Sequence, residues 1–120
     1  MLLTGGQIHN KNLKKCYLIN CFENDNSPNH YEIKIDSYGD FNEGRERQNL
    51  LYLPEKNYIF ACSGFYTKSC EYTNIYEGTW STIAPLNKSR GNASLACINE
   101  RYVYILGGFD LLGEKLMEFI

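Results

Sequence analysis

A strand-like run that meets a pair of small residues occurs three times in this 120-residue chain, and that recurrence limits the fold more than any other feature. The clearest copy is Tyr102-Val103-Tyr104-Ile105-Leu106, followed by Gly107-Gly108. These residue types suit a pleated, half-buried surface, and the run is too short for a stable helix. Lys56 to Phe65 has the same shape, with Tyr58-Ile59-Phe60-Ala61-Cys62 running into Ser63-Gly64. Met1-Leu2-Leu3-Thr4 runs into Gly5-Gly6. Gly6 and Gly64 are 58 positions apart, and Gly64 and Gly108 are 44 apart. A loose period near this length is the mark of a repeat architecture, in which each unit buries its apolar faces against its neighbours. Glycine at such a point signals positive φ or a close backbone approach, and the doublets are expected to end their strands.

Further markers recur in the same frame. Arg90 lies 18 residues before Gly108, and Arg47 lies 17 before Gly64. Arg47-Gln48-Asn49 and Arg90-Gly91-Asn92 read as the same phrase, each leading into an apolar segment. Trp80, the single tryptophan, lies ten residues before Arg90. Past the doublets stand Cys70-Glu71-Tyr72 and Met117-Glu118-Phe119. Strands are predicted near 1–5, 15–21, 31–36, 48–53, 57–63, 69–73, 79–84, 94–99, 101–107 and 115–120. Pro54 to Asn57 and Asn99-Glu100 read as tight hairpin turns, and Asn24 to His30 as a loop. No apolar pattern at helical spacing persists, so the fold class is all-β.

The order glycine doublet, strand with Glu, aromatic, Arg, strand, strand, glycine doublet resembles the kelch repeat, one blade of a β-propeller. The resemblance covers essentially the whole chain. It implies a partial kelch-type propeller of consecutive four-stranded antiparallel blades. Residues 1–44 would form an incomplete first blade without its innermost strand, residues 45–88 a complete blade, and residues 89–120 an incomplete third blade. The kelch positions would be Gly5, Gly6, Gly64, Trp80, Arg90, Gly107 and Gly108, with Trp80 packed between blades and Arg90 tying neighbouring loops. Ser63 replaces one glycine, Thr73 holds the slot of a tyrosine, and Tyr31 is the candidate substitute for tryptophan in the first copy. Propellers close with roughly four to eight blades. Further blades of the same chain, or a partner, are therefore expected to complete this one, since an isolated arc exposes edges and faces.

Charge and composition narrow the function. The net charge is −2, and Lys11, Lys14 and Lys15 form the one basic cluster, so nucleic acid is not an expected partner. No run approaches the roughly 20 apolar residues of a membrane helix. The start of the sequence has no signal-peptide pattern, and five cysteines without paired spacing suit a reducing compartment, so the expected location is cytoplasmic. Asn87-Lys88-Ser89 and Asn92-Ala93-Ser94 are glycosylation sequons that would matter only in a secreted chain.

Catalytic constellations are sparse. Glu77-Gly78-Thr79-Trp80 fails as a sialidase-type Asp box, because Ile75 and Glu77 occupy its Asp and Gly positions. A kelch-fold copper oxidase, the alternative reading, would need tyrosine, histidine and cysteine around a metal. His9 and His30 are the two histidines, both in polar loop settings without partners at ligand spacing. No phosphate-binding glycine loop or nucleophilic triad is present. The expectation is a non-enzymatic module without metal or cofactor that binds another protein through its loops. The kelch resemblance implies roles such as a ubiquitin-ligase adaptor or a cytoskeletal scaffold. Candidate contact residues are Tyr66, Leu111 and Leu112, with Phe65 and Phe109 beside them.

Overall fold

The computed structural model describes residues 1–110 and the backbone of Lys115–Met117. Leu111 and Leu112, two of the three candidate contacts, lie outside the described residues, as does Glu118. No helix occurs among the described residues, and no helix there is long and apolar enough to cross a membrane.

Three antiparallel sheets follow one another along the chain. Sheet I has the order β1 (Leu2–Thr4), β4 (Cys16–Glu23), β5 (Tyr31–Tyr38). Sheet II, wholly within residues 45–88, has four strands in sequence order: β6 (Asn49–Leu53), β7 (Tyr58–Cys62), β8 (Cys70–Asn74) and β9 (Ser81–Ile83). Sheet III is β10 (Ser94–Ile98), β11 (Tyr102–Phe109) and β12 (Lys115–Met117). A two-residue hairpin, β2 (Gln7–Ile8) with β3 (Lys11–Asn12), projects from the β1–β4 connection. Sequence reading missed it. Its turn is His9-Asn10, both at positive φ, the geometry of a tight hairpin, but without the Asn-Gly pair that usually announces one.

Register shows that the sheets are copies of one unit. Thr4 pairs with Cys16, Cys62 with Cys70 and Leu106 with Met117, each at the mouth of a doublet. Sheet I thus matches the last three strands of sheet II, and sheet III matches its first three. The doublets Gly5-Gly6, Ser63-Gly64 and Gly107-Gly108 all have positive φ. At Gly64 a Cβ would lie 2.6 Å from the Glu46 carbonyl oxygen, so the backbone approach there admits no side chain. The third doublet corrects the expectation that glycines end the strand. β11 continues to Phe109, which bridges Gly91, and Gly107-Gly108 fall where the register with β12 shifts. They make a bulge, which lets the strand bend and keep pairing.

Two apolar seams join the sheets, and they repeat each other. Cys16, Phe41, Ile59, Ala61 and Trp80 fill the seam between sheets I and II. Cys62, Cys70, Leu86 and Ile105 fill the seam between sheets II and III. Phe41 and Leu86 hold the same place: Phe41 N–H donates to Lys14 O and Leu86 N–H to Lys68 O, both at 2.9 Å. Lys14 and Lys68 each stand two residues before the paired cysteine of their sheet.

Candidate binding surface at the glycine-doublet end

The connections that follow β1 and β7, and the end of β11 at Phe109, gather at one end of the sheets with the linkers 39–48 and 84–93. Backbone hydrogen bonds tie them: Gly6 N–H to Arg45 O at 2.8 Å, Arg45 N–H to Leu13 O at 3.0 Å and Asn92 N–H to Arg47 O at 3.1 Å. Loops anchored so densely present their remaining side chains from a fixed frame.

A buried arginine organises this end, and it is Arg45 rather than Arg47. Arg45 is fully buried, while Arg47 is exposed and stacks its guanidinium 4.5 Å over the Phe65 ring. Arg45 Nη1 donates to Ser69 O at 2.6 Å and to Ser63 O at 3.2 Å. Its Nη2 donates to Ser69 Oγ at 2.7 Å and to Glu71 Oε2 at 2.8 Å. Arg90, also buried, reaches Gly107 O through Nη1 at 2.9 Å. Arg45 and Arg90 are therefore equivalent, each tying its linker to the doublet of the same sheet, a task that suits a rigid five-donor fork. Positive φ at Arg47 and Asn92 marks these as the matching pair two residues on. The sequence signal was ambiguous because Arg45 and Arg47 stand two apart and the β6–β7 turn, residues 54–57, is one residue longer than the β10–β11 turn, residues 99–101.

Trp80 is buried at the seam. Its ring meets Phe41 edge-on at 4.6 Å, and Nε1–H donates to Gly39 O at 2.8 Å. Tyr31 does not take the corresponding place in sheet I. It pairs with Glu23 near the tip of the β4–β5 hairpin. Cys70 pairs with Ile83 and Cys16 with Tyr38, so the residue three before each is Trp80 in sheet II and Ile35 in sheet I. The longer β4–β5 hairpin displaces the aromatic from the register.

Above this frame, Gln7, Asn10, Lys11, Asn12 and Tyr66 line an open cleft of about 460 Å³. The β2–β3 hairpin forms one wall and the β7–β8 loop the other. Tyr66 is exposed there, whereas Phe65 turns inward and lies so close to Gly91 that a Cβ at that position would sit 2.2 Å from its ring. Phe65 is half-buried between Arg47 and Gly91, and Tyr66 is the residue offered to solvent. Phe109 is also exposed.

Burial pushes the Cys16 thiol up to about 12. The neighbouring Cys70 thiol and burial raise Cys62 as well. Both stay protonated at neutral pH and are poor nucleophiles. Burial pushes the Glu43 carboxyl up, but hydrogen bonds from Thr67 and Ser69 and the Arg45 charge outweigh it, holding the group below its ordinary value. Among the described residues, no three His, Cys, Asp or Glu side chains converge on a metal-sized site, and His9 and His30 are exposed in a turn and a loop.

No protein-family model matches this chain, and a search of curated proteins finds no match.

Proposed function

We propose that the chain is part of a kelch-type β-propeller that binds another protein through the loops at the glycine-doublet end. The observation that carries this reading is the contrast between frame and loops. Strand register, seam positions and the Arg45 and Arg90 anchors repeat from sheet to sheet, while the segments after the doublets differ in length and chemistry. One of them, the β1–β4 connection, grows a hairpin that faces Tyr66 across an open cleft. A rigid frame with specialised loops is what a recognition module requires. Free thiols at all five cysteines favour a reducing compartment such as the cytoplasm. Roles as a ubiquitin-ligase adaptor or cytoskeletal scaffold belong to the kelch resemblance.

The test is affinity capture from a cytosolic extract with quantitative mass spectrometry. A specific partner is expected to be lost with Tyr66→Ala and kept with Tyr52→Ala, an exposed tyrosine on sheet II. Equal capture by both variants would remove the loop end from consideration. Turnover of a small molecule that depends on His9 or His30 would replace the reading with an enzymatic one.

A further inference from the structure

Two of the five cysteines stand directly opposite each other. Cys62 in β7 pairs with Cys70 in β8. Cys16 faces Thr4 and Tyr38 instead, Cys21 faces Ile33, and Cys97 faces Val103. Cys62 and Cys70 are both buried in the seam between sheets II and III, with Leu86 and Ile105, and a hydrogen bond joins their thiols. Packing alone does not demand such a pair. The equivalent mouth positions hold Thr4 and Cys16 in sheet I and Leu106 and Met117 in sheet III.

The phase of the β7–β8 ladder fixes their geometry. Ile75 N–H donates to Asn57 O at 2.8 Å just beyond one end of the paired residues, and Ser63 N–H donates to Ser69 O at 2.8 Å just beyond the other. Hydrogen-bonded pairs alternate with non-hydrogen-bonded pairs along an antiparallel ladder. Counting inward from either end makes Cys62–Cys70 a non-hydrogen-bonded pair. Such pairs bring their Cα atoms to about 4.5 Å and their side chains into close contact. A disulfide spans Cα atoms roughly 4.4–6.8 Å apart, so this register accepts one without a shift of either strand.

We propose that Cys62 and Cys70, free thiols in this structure, are a dithiol–disulfide modification site that staples the base of the Tyr66 loop. The bond closes a ring around residues 63–69. Arg45 already ties both ends of that loop, through Ser63 O and Ser69 O, and the disulfide adds a covalent tie one residue below. The oxidant is a low-molecular-weight disulfide of the glutathione class. Local opening at the loop mouth exposes one thiol, which loses its proton and attacks a sulfur of the oxidant. The oxidant's S–S bond breaks, and one of its halves leaves as a thiol. The second cysteine then attacks the mixed disulfide, the Cys62–Cys70 bond forms, and the other half leaves. Two electrons and two protons pass from the cysteines to the two departing thiols. The inference rests on the β7–β8 register and not on the identity of a loop partner.

The test starts from the full chain, unfolded and reduced, which is refolded in oxidised glutathione so that burial does not limit access. The product is alkylated and digested with trypsin. Lys68 lies between the two cysteines, so trypsin separates residues 57–68 from residues 69–88. These two peptides are expected to emerge joined, lighter than their sum by two hydrogens, and to part in dithiothreitol. Cys21→Ser and Cys97→Ser are expected to keep the joined product, and Cys70→Ser to lose it. The unaltered chain reads the bond by itself if Cys70→Ser does not refold. The bonded form is expected to melt at a higher temperature than the reduced form, because the ring restricts the unfolded chain. Recovery of Cys62 and Cys70 as free, alkylated thiols would overturn the proposal. So would their capture mainly by glutathione or by Cys16, Cys21 or Cys97. A bonded form that melts no higher than the reduced one would overturn the stapling role.

Discussion

Arg45 and Glu71 form a fully buried ion pair across the linker and the third strand of sheet II, with Nη2 2.8 Å and Nε 3.3 Å from the same carboxylate oxygen, Oε2. The other carboxylate oxygen is not idle, since Asn42 N–H donates to Oε1 at 2.8 Å. Every donor of the guanidinium edge that faces sheet II therefore meets an acceptor. A buried pair of this kind is worth little against a well-packed apolar pair, but it is costly to break on one side.

Arg45→Met is accordingly expected to destabilise the chain by about 3–5 kcal/mol, through the uncompensated Glu71 carboxylate. Arg47→Met removes one exposed stacking contact on Phe65 and is expected to cost about 0.5–1 kcal/mol. Urea unfolding of the two variants checks the assignment. Equal losses would mean that the linker register is wrong.

Trp80→Ala is expected to cost about 3–5 kcal/mol, because it opens the seam between sheets I and II and leaves the Gly39 carbonyl without its indole donor. Tyr76→Ala, at a largely exposed site in the β8–β9 connection, is expected to stay within about 0.5 kcal/mol. Thermal melts of both, run side by side, separate packing from general loss of an aromatic.

Gly64→Ala is expected to lower stability more than Gly6→Ala. Both carry positive φ, where an L side chain costs roughly 1–2 kcal/mol. A Cβ at Gly64 also strikes the Glu46 carbonyl, while one at Gly6 meets nothing within 4 Å. Comparing the two unfolding midpoints isolates close approach from backbone strain.

Alkaline pH is expected to unfold the chain. The folded Cys16 thiol titrates at about 12 against 9.0 for an unperturbed thiol, and Cys62 is raised too. The unfolded state releases these protons first, so the stability is full below pH 9 and is lost as pH rises towards 12. Cys16→Ala should flatten that decline. In native buffer at pH 8, exposed Cys21 is expected to react with a thiol reagent well before buried Cys16, Cys62 and Cys70.

How far the chain explains itself differs between its parts. The ten strands read from local pattern all occur, because β-branched and aromatic runs bounded by turn residues carry their signal within a few positions. The doublets were legible for the same reason, since positive φ is a demand that one residue meets alone. Arg45, Ile35 and the β2–β3 hairpin were not legible. Which of two arginines enters the interior depends on a register counted from the start of β6, and the extra residue in the β6–β7 turn hides that register from spacing alone. Which residue stands opposite the Trp80 position depends on a register counted across β4 and β5. The seams and the bare end faces depend on long-range packing, which no local window contains: Leu3 and Ala61 are both apolar residues in β-strands, and only the presence of a neighbouring sheet makes one buried and the other exposed.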